Sequence, residues 1–404
     1  MVSYQSVDAP AAELLHEELA LRGLLVFHDR CTFPSGSRIA SNMDNAVATC
    51  DGFVTYLTPN SLYESRPPGS ARPAIDAEFK PIMDRLARSN ASPNQSRRPV
   101  IIPLMHGLGD TRGEAPERVR KATGKDISTL WAPVTLDQRT RSITQTEAAS
   151  VGKGLIAGLL ESGAVSDSEV IDVAVTTRGE GQPPAFLSVD ATNSLGGATN
   201  RPGDPADWDR YLTGLRDLQG ILAHWTQCRK LNLRIRAHLT AAIAFGRVFN
   251  QAGGWRPTIQ GRQGDVYPSD STEHSQLRTA LDKGGPAADF SVEIDLLDVR
   301  VSDLASDILR QLPNPATNRL CVWREESGSE LTPNDVAAMA GITSMSIRDA
   351  AFDIRPSRIH LFCASPVEFA VLVGHRLTSL HADIHLYERD GDRYASSLVI
   401  PGNS

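Results

Sequence analysis

The chain has 404 residues, of which 41% are hydrophobic and 22% charged, the balance of a soluble globular protein with apolar material for more than one core. Its 41 Lys and Arg stand against 48 Asp and Glu, a formal charge of −7. That excludes the basic surface by which proteins coat duplex DNA, but leaves room for a small anionic ligand held by a few local groups.

No run approaches the roughly 20 apolar residues of a membrane span. The start, Met1 to Gln5, lacks the basic-then-apolar pattern of a signal peptide. The cysteines Cys31, Cys50, Cys228, Cys321 and Cys363 are scattered, with no CxxC pair and no Cys/His cluster, so neither a zinc site nor a disulfide framework is expected. These features describe a reduced, cytoplasmic protein with no metal and no membrane partner.

In chain order, the first region alternates short apolar strands with amphipathic helices. A strand end at Val2–Tyr4 precedes a helix with Asp8 as cap, Pro10 in its first turn and Leu14, Leu15 and Leu19 on one face. Gly23 stops it, and Leu24–Phe27 reads as a buried strand. Arg30–Ser37 is a loop, Ile39–Cys50 a helix, Phe53–Leu57 a strand, and 58–73 a Pro-rich loop. Ala74–Arg88 returns to helix and Pro99–Leu104 to strand. Residues 107–140 show no clear period, and Ile143–Leu160 reads as helix. Wholly apolar strands separated by helices predict a parallel sheet covered on both faces, with its site at the carboxyl ends of the strands.

The second region carries a faint repeat. Arg234–Phe245 and Arg358–Phe369 both read as strand, turn and helix, 124 residues apart, with Arg, Ile and Phe in register. Each follows an earlier strand, Val170–Thr176 or Leu320–Trp323, and each precedes a late tyrosine, Tyr267 or Tyr394. A duplicated α/β unit would create a groove between its halves.

The first region resembles the TIR domain family. The matching pieces are Ser3-Tyr4, Leu21 to Asp29, the Phe33-Pro34-Ser35-Gly36 loop, Ala46 to Asp51, Phe53 to Ser61, Ala77-Glu78-Phe79 and Pro99–Pro103, over roughly residues 1–140. The family pattern carries several more apolar residues before the Ser-Tyr. Either the first strand is stunted here or the natural start lies upstream.

The second region resembles the SAVED family, a fusion of two CARF-like halves that senses cyclic oligonucleotides. The resemblance rests on Arg358–Glu368, Gly374 to Leu377, Ile384 to Tyr387 and Tyr394–Ile400. The expected architecture is therefore a flavodoxin-like α/β TIR domain over 1–145, then a SAVED domain over 146–404 with Rossmann-like halves at about 165–285 and 286–404. Together they resemble TIR-SAVED effectors of bacterial antiphage (CBASS) signalling, in which a cyclic trinucleotide activates an NADase by driving self-association.

The resemblance places the catalytic glutamate at Glu78, where a bare reading gives only a solvated helix carboxylate. Cleaving the nicotinamide–ribose bond of NAD builds positive charge on the sugar, as in glycoside hydrolysis, and one fixed carboxylate stabilises it. NAD is then a substrate, and no cofactor is needed. The family often has Trp-Cys beginning four residues before this glutamate, where this chain has Ala74-Ile75. An aromatic platform must come from Tyr4, Phe33, Tyr63 or a neighbouring subunit. Ser61 reads equally as a ribose or phosphate contact and as a cap, and His106 as a structural residue at the ligand end of the sheet. In the second region, Ala241 and Ser365 are expected at matching helix starts that face phosphates, with Arg178 and Arg324 supplying charge. A non-catalytic TIR scaffold assembled by the same ligand is the competing reading, and the missing aromatic at 74 favours it.

Overall fold

In the computed structural model two runs, β2 (Gly52–Leu57) and β3 (Val100–Met105), are buried at every position and pair in parallel, Gly52 opposite Val100 and Leu57 opposite Met105. The structure describes all residues except 5, 28–38, 63–77, 92–97, 110–112, 129, 131–142, 163–169, 180–184, 198–202, 271–273, 275, 286–287, 326–329 and 403–404. The short β1 (Val2–Ser3) pairs in parallel with β2, giving the sheet order β1-β2-β3.

Alternate residues of these strands bury on opposite faces, which is why they read as continuous apolar runs. Phe53, Leu57, Ile101 and Met105 pack with Val47 of α2 (Ile39–Thr49), Ile82 and Leu86 of α3 (Lys80–Ala91) and Val119 of α4 (Glu114–Thr123). On the other face Val54, Tyr56, Ile102 and Leu104 pack with Leu15 and Leu19 of α1 (Ala9–Ala20) and with Val151 and Leu155 of α5 (Gln145–Glu161). Helix α4 lies inside the stretch that shows no clear period. It is highly charged, and only Ala115, Val119 and Thr123 are buried, one residue per turn.

Two expectations are corrected in this unit. Leu24–Phe27 forms no ladder. Val2 N–H donates to the Phe27 carbonyl at 3.1 Å, Leu24 and Val26 rest against one core and Phe27 against the other, but Leu25 is exposed. Asp8 precedes α1 without capping it through its side chain; its carboxylate accepts instead from Thr58 Oγ1 at 3.0 Å.

The chain divides into two compact units, Met1–Ser168 and Glu169–Ser404. Helix α5, which a boundary at 145/146 would give to the second unit, packs within the first. It opens with a capping box between Thr144 and Glu147. Gln145 Nε2 donates to Glu18, whose carboxylate also binds Arg22 in a buried pair, so α5 and α1 share one polar network.

The second unit consists of β4 (Ile171–Thr176), β5 (Leu187–Asp190), α6 (Pro205–Trp225), β6 (Lys230–Arg236), α7 (Leu239–Val248), β7 (Arg256–Gly261) and β8 (Gly264–Val266), followed by β9 (Leu277–Lys283), β10 (Asp289–Asp295), α8 (Val301–Gln311), β11 (Asn318–Arg324), α9 (Pro333–Ile354), β12 (Arg358–Ala364), α10 (Val367–Arg376), β13 (Asp383–Asp390) and β14 (Arg393–Ile400). They build two sheets, ordered β5-β4-β6-β7-β8 and β9-β11-β10-β12-β13-β14. Apart from β9, the second order repeats the first strand for strand, each with parallel strands and an antiparallel closing strand.

The duplication is real, but its register differs from the sequence reading. Strand β6 and helix α7 begin at Lys230 and Leu239, and β12 and α10 begin at Arg358 and Val367, 128 residues later in both cases. The partner of β4 is β10, and the strand holding Leu320–Trp323 corresponds to β5. The second sheet begins before residue 286, because β9 pairs with β11.

Candidate functional site

In an open parallel sheet, loops leave the carboxyl ends of neighbouring strands to opposite sides, and a crevice forms there. The duplicated unit has two such ends, and a cavity of about 850 Å3 lies against both. Arg178 reaches it from the loop after β4, Ala237 and His238 from the turn between β6 and α7, and Cys363 to Pro366 from the turn between β12 and α10. Its volume falls within the roughly 300–1,000 Å3 of ligand sites.

Arg178, Arg324 and Ser365 line this cavity, whereas Ala241 stands elsewhere. Ala241 lies inside the first turn of α7, fully buried, and its carbonyl accepts from Tyr211 Oη at 3.3 Å. With the 128-residue register, the counterpart of Ser365 is Ala237, which does line the cavity. Ser365 is not a cap either: α10 has Pro366 at that position, and the Ser365 hydroxyl donates to the Pro366 carbonyl at 3.0 Å.

Two lining residues escape sequence reasoning. The first is His238, whose Nδ1 and backbone N–H both lie 2.9 Å from Thr177 Oγ1. Burial, aided by the positive charge of Arg178, pushes its pKa down to about 4, so its imidazole is neutral at pH 7.

The second is Glu388, near the end of β13. Its Oε2 accepts from the backbone N–H of Thr240 at 3.0 Å, in the first turn of α7. Thr240 Oγ1 in turn lies 2.9 Å from Ser397 Oγ, which donates to the Leu386 carbonyl at 2.9 Å. Burial pushes the Glu388 carboxyl above the usual range, opposed by hydrogen bonds from Thr240 and Leu239 and by Arg178. Nothing in the sequence links Glu388 to Thr240, 148 residues apart.

In the first unit, Glu78 is buried at 4% exposure, two residues before the start of α3. Helix α3 carries the chain from the end of β2 back to the start of the parallel β3, so its first turn stands on the carboxyl side of the sheet, and Phe79, next to Glu78, packs in the core with Phe53 and Leu57. That end carries further polar groups. Tyr56 Oη lies 3.2 Å from His106 Nδ1, and Thr58 Oγ1 donates to Asp8. Burial raises the Asp8 carboxyl, with the Thr58 bond opposing.

Ser61 is committed to its own turn: its Oγ accepts from Thr58 N–H at 2.8 Å and donates to the Thr58 carbonyl at 2.9 Å. That leaves its hydroxyl stabilising the loop after β2. Tyr4 is half-buried against the cluster of Val54 and Tyr56. Phe33 and Tyr63 lie outside the described residues.

The TIR domain family model matches residues 1–131, and the model of SAVED, the "SMODS-associated and fused to various effectors sensor domain", matches residues 216–400. The chain is a TIR domain joined to a SAVED sensor domain. No curated protein matches it. Among solved structures, the Acinetobacter baumannii Cap4 SAVED/CARF-domain containing receptor with the cyclic trinucleotide 3′3′3′-cAAA is 12% identical over 97% of each chain, with a TM-score of 0.46. The same receptor with 2′3′3′-cAAA is 11% identical over 97% of this chain and 98% of the other, at 0.48. The Moraxella osloensis Cap4 receptor is 12% identical over 97% and 98%, at 0.44. Among the described residues, no helix is long and apolar enough to cross a membrane.

Proposed function

We propose that the chain is an NAD glycohydrolase switched on by a cyclic oligonucleotide, a trinucleotide by resemblance, and that it serves antiphage defence by depleting NAD. The observation that carries this reading is the groove of the SAVED domain. It brings four arginines, Arg178, Arg262, Arg324 and Arg389, and the turn before α10 to one cavity at the strand ends. A few such groups suffice for a compact anion on an acidic chain.

The chemistry assigned to the TIR domain is hydrolysis. The bond between C1′ of the ribose and the nicotinamide nitrogen breaks with its electron pair going to the pyridine ring. Water adds to C1′ and loses a proton, leaving ADP-ribose, unless a second group of the product closes a ring instead. Glu78 is the carboxylate that stabilises the positive sugar in between. Support comes from its burial and its place beside the sheet end.

Ligand binding activates only if the ligand holds the assembling state more tightly than the resting one. A preference of about 100-fold, or about 2.7 kcal/mol, moves a few per cent of active form to a majority. Nicotinamide release measured with NAD, with and without cyclic tri-adenylate, tests the proposal. Release that depends on the ring supports it; binding of the ring without any release supports a TIR scaffold instead.

A further inference from the structure

Two helices, α7 and α10, begin at equivalent places in the halves of the SAVED domain, and the groove runs past both starts. A two-fold groove would offer two equal ends to a ligand. This one does not.

The difference lies on the neighbouring strands. Lys230 pairs with Arg256, and the equivalent Arg358 pairs with Asp383. Five residues further along β7 and β13 stand Gly261 and Glu388, so these two occupy corresponding positions. Both line the groove. At the α7 end the carboxylate of Glu388 already occupies the place of an anion, bonded to Thr240 N–H at 3.0 Å. Its support is local: the register of β14 against β13 shifts beside Leu386, and Ser397, opposite no residue of β13, turns its hydroxyl to Thr240. At the α10 end the strand offers Gly261 and no side chain. The acid there is Glu368, on the first turn of α10 itself and half-buried, its Oε1 passing 3.0 Å from where a Gly261 Cβ would be. Glu368 lines the groove as well but is only half-buried, whereas Glu388 is 5% exposed and is bonded to the helix start of the other half.

We propose that Glu388 determines which ring the groove accepts. Its carboxylate closes the N-terminal end of α7, leaving the end of α10 for a phosphate, and so selects against rings whose own two-fold symmetry asks for both ends. A phosphate at the closed end would meet a buried like charge and find the Thr240 N–H taken, both of which penalise the wrong ligand. A three-nucleotide ring has no two-fold axis and loses nothing. A four-nucleotide ring has one and loses half its helix contacts. This rests on reading the groove as the cyclic-oligonucleotide site.

The test is calorimetric titration of the full chain with cyclic tri-adenylate and cyclic tetra-adenylate. The expected wild-type preference for the three-membered ring is about 100-fold or more. Glu388→Gln keeps the shape and removes the charge, and should narrow that preference by about tenfold, through a gain by the four-membered ring. Glu388→Gly, which copies the other half, should narrow it further. If either variant fails to fold, the reciprocal Gly261→Asp reports instead: closing the second end should weaken both rings. An unchanged ratio in a folded Glu388→Gln, or equal affinity of the wild type for both rings, would overturn the role of Glu388 while leaving the groove a sensor. Binding of neither ring would overturn the sensor reading itself.

Discussion

Gly246 and Gly374 stand at equivalent positions of α7 and α10, and each is pressed against the other's helix. A Cβ at Gly246 would lie 2.0 Å from the Val371 carbonyl oxygen, and one at Gly374 would lie 2.1 Å from that of Ile243. The two backbones therefore touch across the pseudo-two-fold axis of the SAVED domain, and this contact fixes how far apart the two helix starts lie. The obstructing atoms are backbone, which cannot rotate away. Gly246→Ala or Gly374→Ala should lower stability by about 2–3 kcal/mol, read as a fall in denaturant midpoint. Gly220→Ala is the control, because nothing lies within 4 Å of its Cβ site in α6. It should stabilise by about 0.4–1 kcal/mol. Equal effects at all three sites would remove the helix contact from the explanation.

Glu78→Gln should cut nicotinamide release by at least about 100-fold, which is about 2.7 kcal/mol of transition-state stabilisation. The substitution preserves size, removes the charge and exchanges one acceptor oxygen for an NH2 donor. Binding of the cyclic ligand, measured separately, should stay unchanged. Turnover within about threefold of wild type would show that Glu78 is not the catalytic carboxylate.

Charge reversal at Arg178 or Arg324 should raise the activator concentration needed for half-maximal activity by about tenfold or more. Neither residue is in the TIR domain, so turnover at saturating activator should not move. Arg178→Glu should act the more strongly, since Arg178 also lies near Glu388 and His238. A drop in saturated turnover with unchanged half-saturation would contradict this division of roles.

Acid should destabilise the SAVED domain through its buried histidines, His238, His360 and His375, whose pKa values burial lowers. His238 and His360 are both pushed down from 6.5 to about 4, mainly by burial. His360 is held neutral between the Tyr387 hydroxyl, 2.8 Å from its Nδ1, and the ring of His385. Between those pH values the unfolded chain binds protons that the folded chain refuses, so stability rises with pH. The contribution is complete above 6.5 and is lost as pH falls towards 4, by up to about 1.4 kcal/mol per unit for each histidine. Thermal unfolding from pH 7 to pH 4 should show the loss, and His238→Asn with His360→Asn should reduce it, leaving the smaller share of His375 and His385.

Specific activity at saturating activator should rise steeply with protein concentration. The absent aromatic at Ala74 leaves the nicotinamide platform to another residue or to a neighbouring subunit, which makes a shared site the economical arrangement. Light scattering should report large particles when activator is present. A fully active, strictly monomeric ligand-bound chain would exclude assembly as the switch.

The sequence by itself determined the class of fold and the order of its parts. Apolar runs such as Phe53–Leu57 and Pro99–Leu104 bury both faces of a strand, so they announce a covered parallel sheet without any partner being known. Gly23 is likewise a local device, legible because it acts within a few residues. The charged helix Glu114–Thr123 escaped because one buried residue per turn leaves too weak a pattern. The repeat was visible but misaligned by four residues. Identities such as Arg234 with Arg358 are side-chain coincidences, whereas the 128-residue register follows from backbone pairing and from Gly246 facing Gly374. That slip put Ala241 in the groove, where Ala237 belongs. Tertiary structure alone decided that one helix start is closed by Glu388 and the other faces Gly261, because a carboxylate and the N–H it binds, 148 residues apart, share no local signal.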